Sequence, residues 1–469
     1  MRQMHQCLSH RRHTRLIHFH LHRINSSEMI KTFSKGGIHP APNKYADHKI
    51  ELLPLPTIVY LPLSQHIGAP AAPVVKRGDA VGRGQLIATN TTYISAGLHA
   101  PISGTVKGIE PVALANGKPG MAIIISATDE EHRADTAARE AYWRAIEPGH
   151  TDRQLSESLP ADVIRKAILD AGIVGLGGAT FPAHVKLSTK ESDKPELLII
   201  NGCECEPYLM CDDALMSHYP ARIVEGVELM MKAAGVGRAV IAIEDNKPGA
   251  IAALKSHIDP AHDISIQVVK TKYPQGGEKQ LVEAVTGRRI PSGKLPLSVG
   301  AIVNNVATAF AIWQCIATAQ PLIERVVTVS GDIPESERRN YMVAIGTPLS
   351  ALPFTPPQRA NIVVGGPMMG HSAVCLEAPI TKGTSGLTIL DAAPRRRPMA
   401  CVRCGACVDA CPMGLEPYLL STYGRLHMWD EARSAGVADC MECGSCSWSC
   451  PSSRPLLEYI KIAKQRSRK

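Results

Sequence analysis

Two short runs in the last quarter of the chain constrain it more than any other feature. Cys401-Val-Arg-Cys404-Gly-Ala-Cys407-Val-Asp-Ala-Cys411-Pro412 and Cys440-Met-Glu-Cys443-Gly-Ser-Cys446-Ser-Trp-Ser-Cys450-Pro451 both read C-x2-C-x2-C-x3-C-P without a gap. At this spacing three thiolates of one tight loop hold three irons of a cube. The fourth, a turn further on and stopped by proline, reaches the other cube. The expected ligand sets are therefore Cys401, Cys404, Cys407 and Cys450 for one 4Fe–4S cluster, and Cys440, Cys443, Cys446 and Cys411 for the other. Zinc is the plainer alternative, but all-cysteine zinc sites rarely repeat a four-cysteine run with a proline after each last thiol. Disulfides at this spacing would need an oxidising compartment, and no export signal is visible, so a reducing environment is expected. Gly405 and Gly444 let the backbone approach each cube and turn N–H groups toward sulfide. Between the runs, Leu419, Leu420, Tyr423 and Leu426 fall near helical spacing, which predicts a helical two-cluster module.

Clusters of this kind pass single electrons, so the rest of the chain must supply a source or a sink. Its 469 residues suffice for about three domains. With 45% hydrophobic and 20% charged residues, neither a disordered chain nor a membrane channel fits. The formal charge is +8, but residues 1–28 carry five Arg and one Glu and so supply half of it, which argues against a nucleic-acid partner. That opening segment also holds six of the 18 His; it is read as no secretion signal, and translation is expected to begin at Met29, since organised sequence starts at Lys31-Thr32-Phe33. The most apolar stretch, Val299 to Ala319, is interrupted by Asn304, Asn305 and Gln314, whose unpaired amides would be costly in lipid. Any membrane attachment is therefore expected through partners or a surface.

From about Pro160 to Ala319 helix and strand patterns alternate. Ala161–Ala171 has a helical apolar face stopped by Gly172, Glu196–Asn201 is a short buried strand, and Pro220 opens a helix closed by Gly235. Strands follow at Arg238–Ile243 and Ile264–Lys270. This alternation predicts an α/β domain with a mainly parallel sheet and ligands at the carboxyl ends of its strands. Four loops lie at such ends: Gly172-Ile-Val-Gly-Leu-Gly-Gly-Ala-Thr-Phe-Pro182 followed by Lys186, then Asn201-Gly-Cys-Glu-Cys-Glu-Pro-Tyr208, Tyr273-Pro-Gln-Gly-Gly-Glu-Lys279, and Val303-Asn-Asn-Val-Ala-Thr308. Closely spaced glycines turn backbone N–H groups toward phosphate or a flat ring, and lysine neutralises phosphate charge. The ordinary G-x-G-x-x-G fingerprint is absent, and each loop taken singly reads better as a structural feature than as a binding site. Cys203, Cys205 and Cys211 lack a fourth thiolate nearby and read as ordinary thiols.

Taken together, these loops resemble the flavin and NADH site of the flavoprotein subunit of respiratory complex I. That family surrounds FMN with a G-R-G-G-A-G-F-P loop and a following Lys, an N-x-D-E-x-E-P segment, a Y-x-x-G-E-E segment and an N-V-E-T segment. The resemblance implies that Gly177, Gly178 and Lys186 lie by the flavin phosphate and that Phe181 packs on the dinucleotide. It places Asn201, Glu204 and Glu206 along the isoalloxazine and nicotinamide region, with Gly276, Gly277, Glu278, Asn305 and Thr308 completing the pocket. The chain departs from the family at Leu176, Thr180, Cys203, Gly277 and Ala307.

On the amino side, Val75–Ala88 with His99–Val106 resembles a biotinyl/lipoyl-type barrel sandwich. Its expected hairpin tip, Thr91-Thr-Tyr-Ile-Ser-Ala96, has no lysine to carry a cofactor, so a structural or docking module is expected. Arg325–Asp332 and Tyr341–Pro348 look like a small β-grasp domain of the soluble-ligand-binding (SLBB) type, and Pro394–Pro398 reads as a linker. The expected organisation is multidomain α/β and α+β. It comprises an extension at 1–28, a barrel sandwich at 29–135, a Rossmann-like FMN/NADH domain at 136–320, a β-grasp domain at 321–393 and a two-cluster ferredoxin-like domain at 394–469. From Met29 onward this order resembles the RnfC/RsxC family, which belongs to the Rnf- or Rsx-type ion-translocating oxidoreductase complex. Ile30–Pro40 and Gly175–Pro182 strengthen the match. The resemblance implies a peripheral electron-transfer subunit on the cytoplasmic face of a bacterial inner membrane, with integral-membrane and peripheral partner subunits. It would pass electrons between NADH, FMN and two 4Fe–4S clusters, and no catalytic acid or base is expected. A diaphorase subunit of a soluble dehydrogenase or hydrogenase, and a cluster-bearing scaffold with a decayed flavin site, stay open as alternatives.

Overall fold

The computed structural model describes residues 30–46, 48–146, 155–189, 195–392 and 396–467. The extension at 1–28, the expected start at Met29 and part of the Pro394–Pro398 linker lie outside these residues. Residues 31–469 gather into one unit.

At its centre is a four-stranded, wholly parallel sheet in the order Ile264–Val269, Ala239–Glu244, Leu197–Gly202, Ala301–Asn305. Successive strand residues face opposite sides, and both faces are covered. Leu198, Ile200, Ile241 and Ile302 join one core with the helices Pro220–Ala234 and Val306–Thr318. Ile199, Ala242 and Val303 join another with the helix Glu278–Thr286. Gly226 permits the first two helices to touch, since a Cβ there would stand 2.1 Å from the Ala309 carbonyl oxygen. The expected stop at Gly235 is present as a left-handed residue at φ 68°. The expected strands and helices of this region are thus found, with ends moved by about one residue.

Two small antiparallel sheets form the barrel sandwich, one built on Gly104–Ala113 and Pro119–Ser126, the other on Leu86–Thr89. Its lysine-free tip packs against the flavin-like domain: the Tyr93 carbonyl accepts from His184 Nε2 at 3.0 Å. The segment 31–52 makes its strand contacts outside this barrel. Lys31 bridges to Val269, Ile38 to Tyr273, and Ile50–Leu52 adds a parallel strand to Arg339–Ala344. That last strand belongs to a six-stranded mixed sheet holding Glu324–Gly331, Gly386–Asp391 and Ala360–Val364, the β-grasp region.

Glu324 joins three of these parts. Its carboxylate accepts from Arg139 Nε at 2.7 Å, from Trp143 Nε1 at 2.8 Å and from Arg83 of the barrel. Burial opposes its ionisation, yet the two guanidiniums hold its pKa below the ordinary value.

The C-terminal region is helical, as the pattern between the cysteine runs predicts. Pro417–Arg425 packs on Leu456–Arg466 across Gly424, where a Cβ would lie 2.2 Å from the Tyr459 carbonyl oxygen. Among the described residues no helix is long and apolar enough to cross a membrane.

Candidate functional site

The sequence repeat of the two cysteine runs is also a repeat of backbone shape. Arg403 and Glu442, each just before a second Cys, have φ of 55° and 62°, and Gly405 and Gly444, each just after it, have φ of 80° and 79°. Non-glycine residues seldom adopt the left-handed region, so each loop is held in an unfavourable conformation that turns its amides to one side. One-turn helices follow, Ala406–Asp409 and Ser445–Trp448, delivering Cys411 and Cys450. The thiols group across the repeat. Cys440 and Cys446 are electrostatic neighbours of Cys443 and Cys411, whereas Cys407 is a neighbour of Cys450 and Cys401. Burial pushes the Cys440 thiol up to about 11 and Cys446 to about 12, so bare thiols here stay protonated.

Among the described residues, the one group of three or more His, Cys, Asp or Glu ligand atoms within 4.8 Å of one another is Glu204, Cys211 and Asp212, and none of the eight cluster cysteines belongs to it. Cys411 of the first run stands with Cys440, Cys443 and Cys446 of the second, and Cys450 of the second with Cys407 and Cys401 of the first, a grouping across the runs that fits two 4Fe–4S clusters with exchanged ligands. Cys411, Cys440, Cys443 and Cys446 also line a common cavity with Leu420, Leu457 and Ile460. The amide of Leu415 donates to Cys411 Sγ at 3.4 Å.

The four loops converge at the carboxyl ends of the parallel strands. Asn201 Nδ2 donates to the Gly276 carbonyl at 2.9 Å, joining the second loop to the third. Asn305 Nδ2 donates to Asp212 Oδ2 at 2.6 Å, while its Oδ1 caps the following helix by accepting from Ala307 N. Thr308 Oγ1 accepts from the Leu176 amide at 2.9 Å, and Gly177 lies against Asn305, where a Cβ would be 3.3 Å from that residue's own. Gly178, at φ 106°, has open space in place of a side chain. Lys186 Nζ is held at the rim by Glu278 at 2.7 Å and by the Val303 carbonyl at 3.0 Å. Two buried amide donors on these loops, Asn304 Nδ2 and Gln275 Nε2, have no protein partner. Side-chain-free glycines, a rim lysine and unfilled donors suit a ligand rich in phosphate and carbonyl oxygens, as FMN is.

Two of the expected carboxylates are turned elsewhere. Glu204 caps the helix Cys211–His218, accepting from the amides of Asp212 at 2.9 Å and Asp213 at 3.2 Å. Glu206 reaches the β-grasp region and accepts from Met368 N at 3.1 Å and Met369 N at 2.8 Å. Burial pushes its carboxyl up to about 7 despite those two amides. Phe181 is half-buried, and its carbonyl accepts from Gly175 N. Gly277 faces the cluster loop, where a Cβ would meet Met441 at 2.7 Å.

Other residues at this junction carry no sequence signature. Lys44 threads its ammonium among the carbonyls of Glu204, Glu206 and Leu209. Lys247 Nζ donates to the Cys203 carbonyl at 2.6 Å. Most informative is a latch onto one cluster loop. Tyr273 Oη donates to the Cys443 carbonyl at 2.8 Å, Gln280 Nε2 to the Pro412 carbonyl at 3.3 Å, and Gly37 N to the Ala410 carbonyl at 3.0 Å. The Cys411/440/443/446 set is thereby fastened to the flavin-like loops. Cys401 and Cys404, by contrast, are exposed.

Comparison with known proteins agrees with this layout. Family models match as the RnfC barrel sandwich hybrid domain over residues 31–131, the Nuo51 FMN-binding domain over 168–314 and the 4Fe-4S dicluster domain over 393–451. The chain is 40% identical over 440 residues to the corresponding subunit of the Na(+)-translocating ferredoxin:NAD(+) oxidoreductase complex in Acetobacterium woodii, covering 92% of this chain and 96% of that one. It is 41% identical over 451 residues to its counterpart in the proton-translocating ferredoxin:NAD(+) oxidoreductase complex of Clostridium ljungdahlii, covering 94% and 95%. It is also 41% identical over 423 residues to its counterpart in the ion-translocating oxidoreductase complex of Rhodobacter capsulatus, covering 87% and 78%. A solved NAD+-reducing NiFe-hydrogenase in its H2-reduced state aligns with 76% of this chain and 76% of its own, at 19% identity and a TM-score of 0.47.

Proposed function

This chain belongs to the RnfC family of ion-translocating oxidoreductase complexes, and from that premise we propose the route by which its residues serve the family's electron transfer. The chain is an oxidoreductase subunit with FMN and two 4Fe–4S clusters as cofactors. When bound, FMN supplies the exchange between a two-electron nicotinamide and one-electron clusters.

The residues bind, orient and connect. Gly177 and Gly178 offer backbone to the flavin phosphate and Lys186 offers charge, with Glu278 fixing the lysine. Asn201 and Asn305 hold the four loops in register around the ring, and Thr308 pins the glycine-rich loop through the Leu176 amide. Cys411, Cys440, Cys443 and Cys446 hold the cluster nearer the flavin; Cys401, Cys404, Cys407 and Cys450 hold the outer one. The observation that carries this order is the Tyr273–Cys443 latch, opposite which the Cys401 loop stands exposed. No side chain has to move a proton for the hydride step. NADH is the nicotinamide substrate. The subunit sits peripherally on the cytoplasmic face of the inner membrane, attached through partner subunits.

The test is an anaerobic NADH titration of the protein reconstituted with FMN, iron and sulfide, followed in the visible spectrum. Bleaching of the flavin band followed by the broad cluster absorbance is expected. Clusters that bleach with dithionite and never with NADH would overturn the route and favour a scaffold whose flavin site has decayed.

A further inference from the structure

Away from the flavin loops, toward the amino ends of the parallel strands, the same sheet carries a cleft of about 340 Å³. Leu197, Val240, Ser265 and Ala301, each the first or second residue of its strand, point the same way by register and alternation and form its floor. This is the face covered by the helix Glu278–Thr286, and the cleft opens where that helix ends, at Val285 and Thr286. Its volume is that of a small-molecule site and far exceeds the space a single water needs.

The charges around it do not cancel. Among the described residues that line it are three cations, Lys31, Arg238 and Arg288, and one carboxylate, Glu196. That carboxylate is committed, since its Oε2 accepts from Arg288 Nη1 at 2.7 Å. Arg238 is paired only loosely, with Asp263 at 3.9 Å and both side chains more than half exposed, a separation at which an ion pair holds little. Lys31 is exposed, its backbone bridged to Val269 at the far end of the edge strand.

Four elements that line the cleft lead to the redox sites. Leu197 and Ala301 begin strands that run to Asn201 and Asn305 of the flavin loops. The helix that ends at Thr286 begins at Glu278, which holds Lys186, and its Gln280 donates to the Pro412 carbonyl just after Cys411. Further along from Lys31, Gly37 N donates to the Ala410 carbonyl just before Cys411.

We propose that this cleft is an effector site for a small phosphorylated molecule, a nucleoside monophosphate in size and chemistry, whose binding is coupled to the flavin site and the inner cluster loop. The phosphate lies against Arg238, whose planar guanidinium matches it with two parallel hydrogen bonds. The flat base covers Leu197, Val240 and Ala301, and Gln267, which also lines the cleft, offers its carboxamide to the base edge. Lys31 adds attraction for the anion from the other end. A ligand that shifts Thr286 shifts the helix that carries Glu278 and Gln280, and the coupling is reciprocal. The cleft is independent of the electron-transfer route above; only the coupling rests on FMN lying among the four loops.

The test uses the full chain with its clusters assembled and adenosine monophosphate as probe, with inorganic phosphate and adenosine in parallel, by equilibrium dialysis. Iron content and melting temperature check the assembly of each variant. One variant is Lys31→Glu with Arg238→Glu. The other is Ser265→Trp, which fills the cleft from an exposed position on the edge strand and removes no charge. Lys107→Glu on the barrel sandwich is the control. The nucleotide should bind more tightly than either of its halves, lose about tenfold or more in affinity in both cleft variants, and bind the control unchanged. No binding, binding that survives both cleft variants, or inorganic phosphate binding as tightly as the nucleotide overturns the site. The coupling is read from FMN affinity, by fluorescence quenching, with and without saturating nucleotide. A change of about fivefold or more is expected in the wild type and none in Ser265→Trp. An FMN affinity that the nucleotide leaves alone, or alters equally in Ser265→Trp, overturns the coupling. Failure of the route is read separately: a protein that binds the nucleotide in the cleft and never bleaches with NADH keeps the cleft and loses the route.

Discussion

The phenol of Tyr273 and the carbonyl of Cys443 share a 2.8 Å hydrogen bond across 170 residues of sequence. Both are buried, in a small cluster with Ile38 and Ala410. Tyr273 opens the third flavin-like loop and Cys443 lies in the second cysteine run, so the bond ties one to the other. Tyr273→Phe keeps the ring and leaves that carbonyl without its partner, which costs about 1–3 kcal/mol. A lower melting temperature is expected, together with an altered EPR signal from the inner cluster alone. An outer-cluster signal that changes equally would contradict the latch.

The ligand exchange between the runs has a sharper consequence. Cys411 belongs to the first run in sequence, yet its electrostatic neighbours are Cys440 and Cys446 of the second. Cys411→Ala should therefore remove the inner cluster and spare the outer one, and Cys450→Ala the reverse. Iron content should fall from about eight to about four per chain in each. The surviving cluster, identified by its EPR signal and its accessibility to a chelator, decides the matter. Loss of the outer cluster in Cys411→Ala would return each run to a self-contained site.

The two-cluster module was legible because its pattern is local: one short run carries the loop, the turn and the proline stop. The parallel sheet was legible for a similar reason, since Ile199–Ile200 and Val240–Ile243 are buried runs bounded by turns. What sequence could not show are contacts between distant, chemically ordinary residues. Glu206 reads like a pocket residue until the fold brings Met368, 162 positions away, to its carboxylate. Lys44 and Lys382 carry no motif at all. Their roles come from the backbone carbonyls that separate regions happen to present, and no periodicity records that.

Glu206 offers a test by pH. Burial raises its pKa to about 7 from 4.5. Between those values the folded protein binds more protons than the unfolded one, so this group's stabilising contribution is complete below about 4.5 and is lost as pH rises through 7. Glu206→Gln removes the titration, and its amide group accepts through only one oxygen, leaving Met368 or Met369 N–H poorly met. The wild type should lose melting temperature relative to this variant as pH rises from about 5 to about 8. A constant difference across that range would show that the carboxyl is ionised throughout.

Lys382 runs the other way. Its side chain is 1% exposed and donates to the carbonyls of Gly97 at 2.8 Å and Gly172 at 2.6 Å, clamping the barrel sandwich, the start of the glycine-rich loop and the β-grasp region together. Among the described residues no carboxylate balances it, and burial lowers its pKa to about 7 from 10.5. Between those values the unfolded chain binds the extra proton, so stability gains with rising pH and the contribution lost on acidification is recovered by about 10.5. Lys382→Met deletes the titration and both donors, leaving two buried carbonyls unmet at about 1–3 kcal/mol each. The variant should melt lower than the wild type, and the gap should widen from about pH 7 to about pH 9. Because Gly172 begins the loop that offers Gly177 and Gly178 to the flavin phosphate, its FMN affinity should fall as well, measured by fluorescence quenching on binding. A gap that stays constant with pH would mean the ammonium remains charged in its carbonyl cage, and unchanged FMN affinity would separate the clamp from the flavin loop.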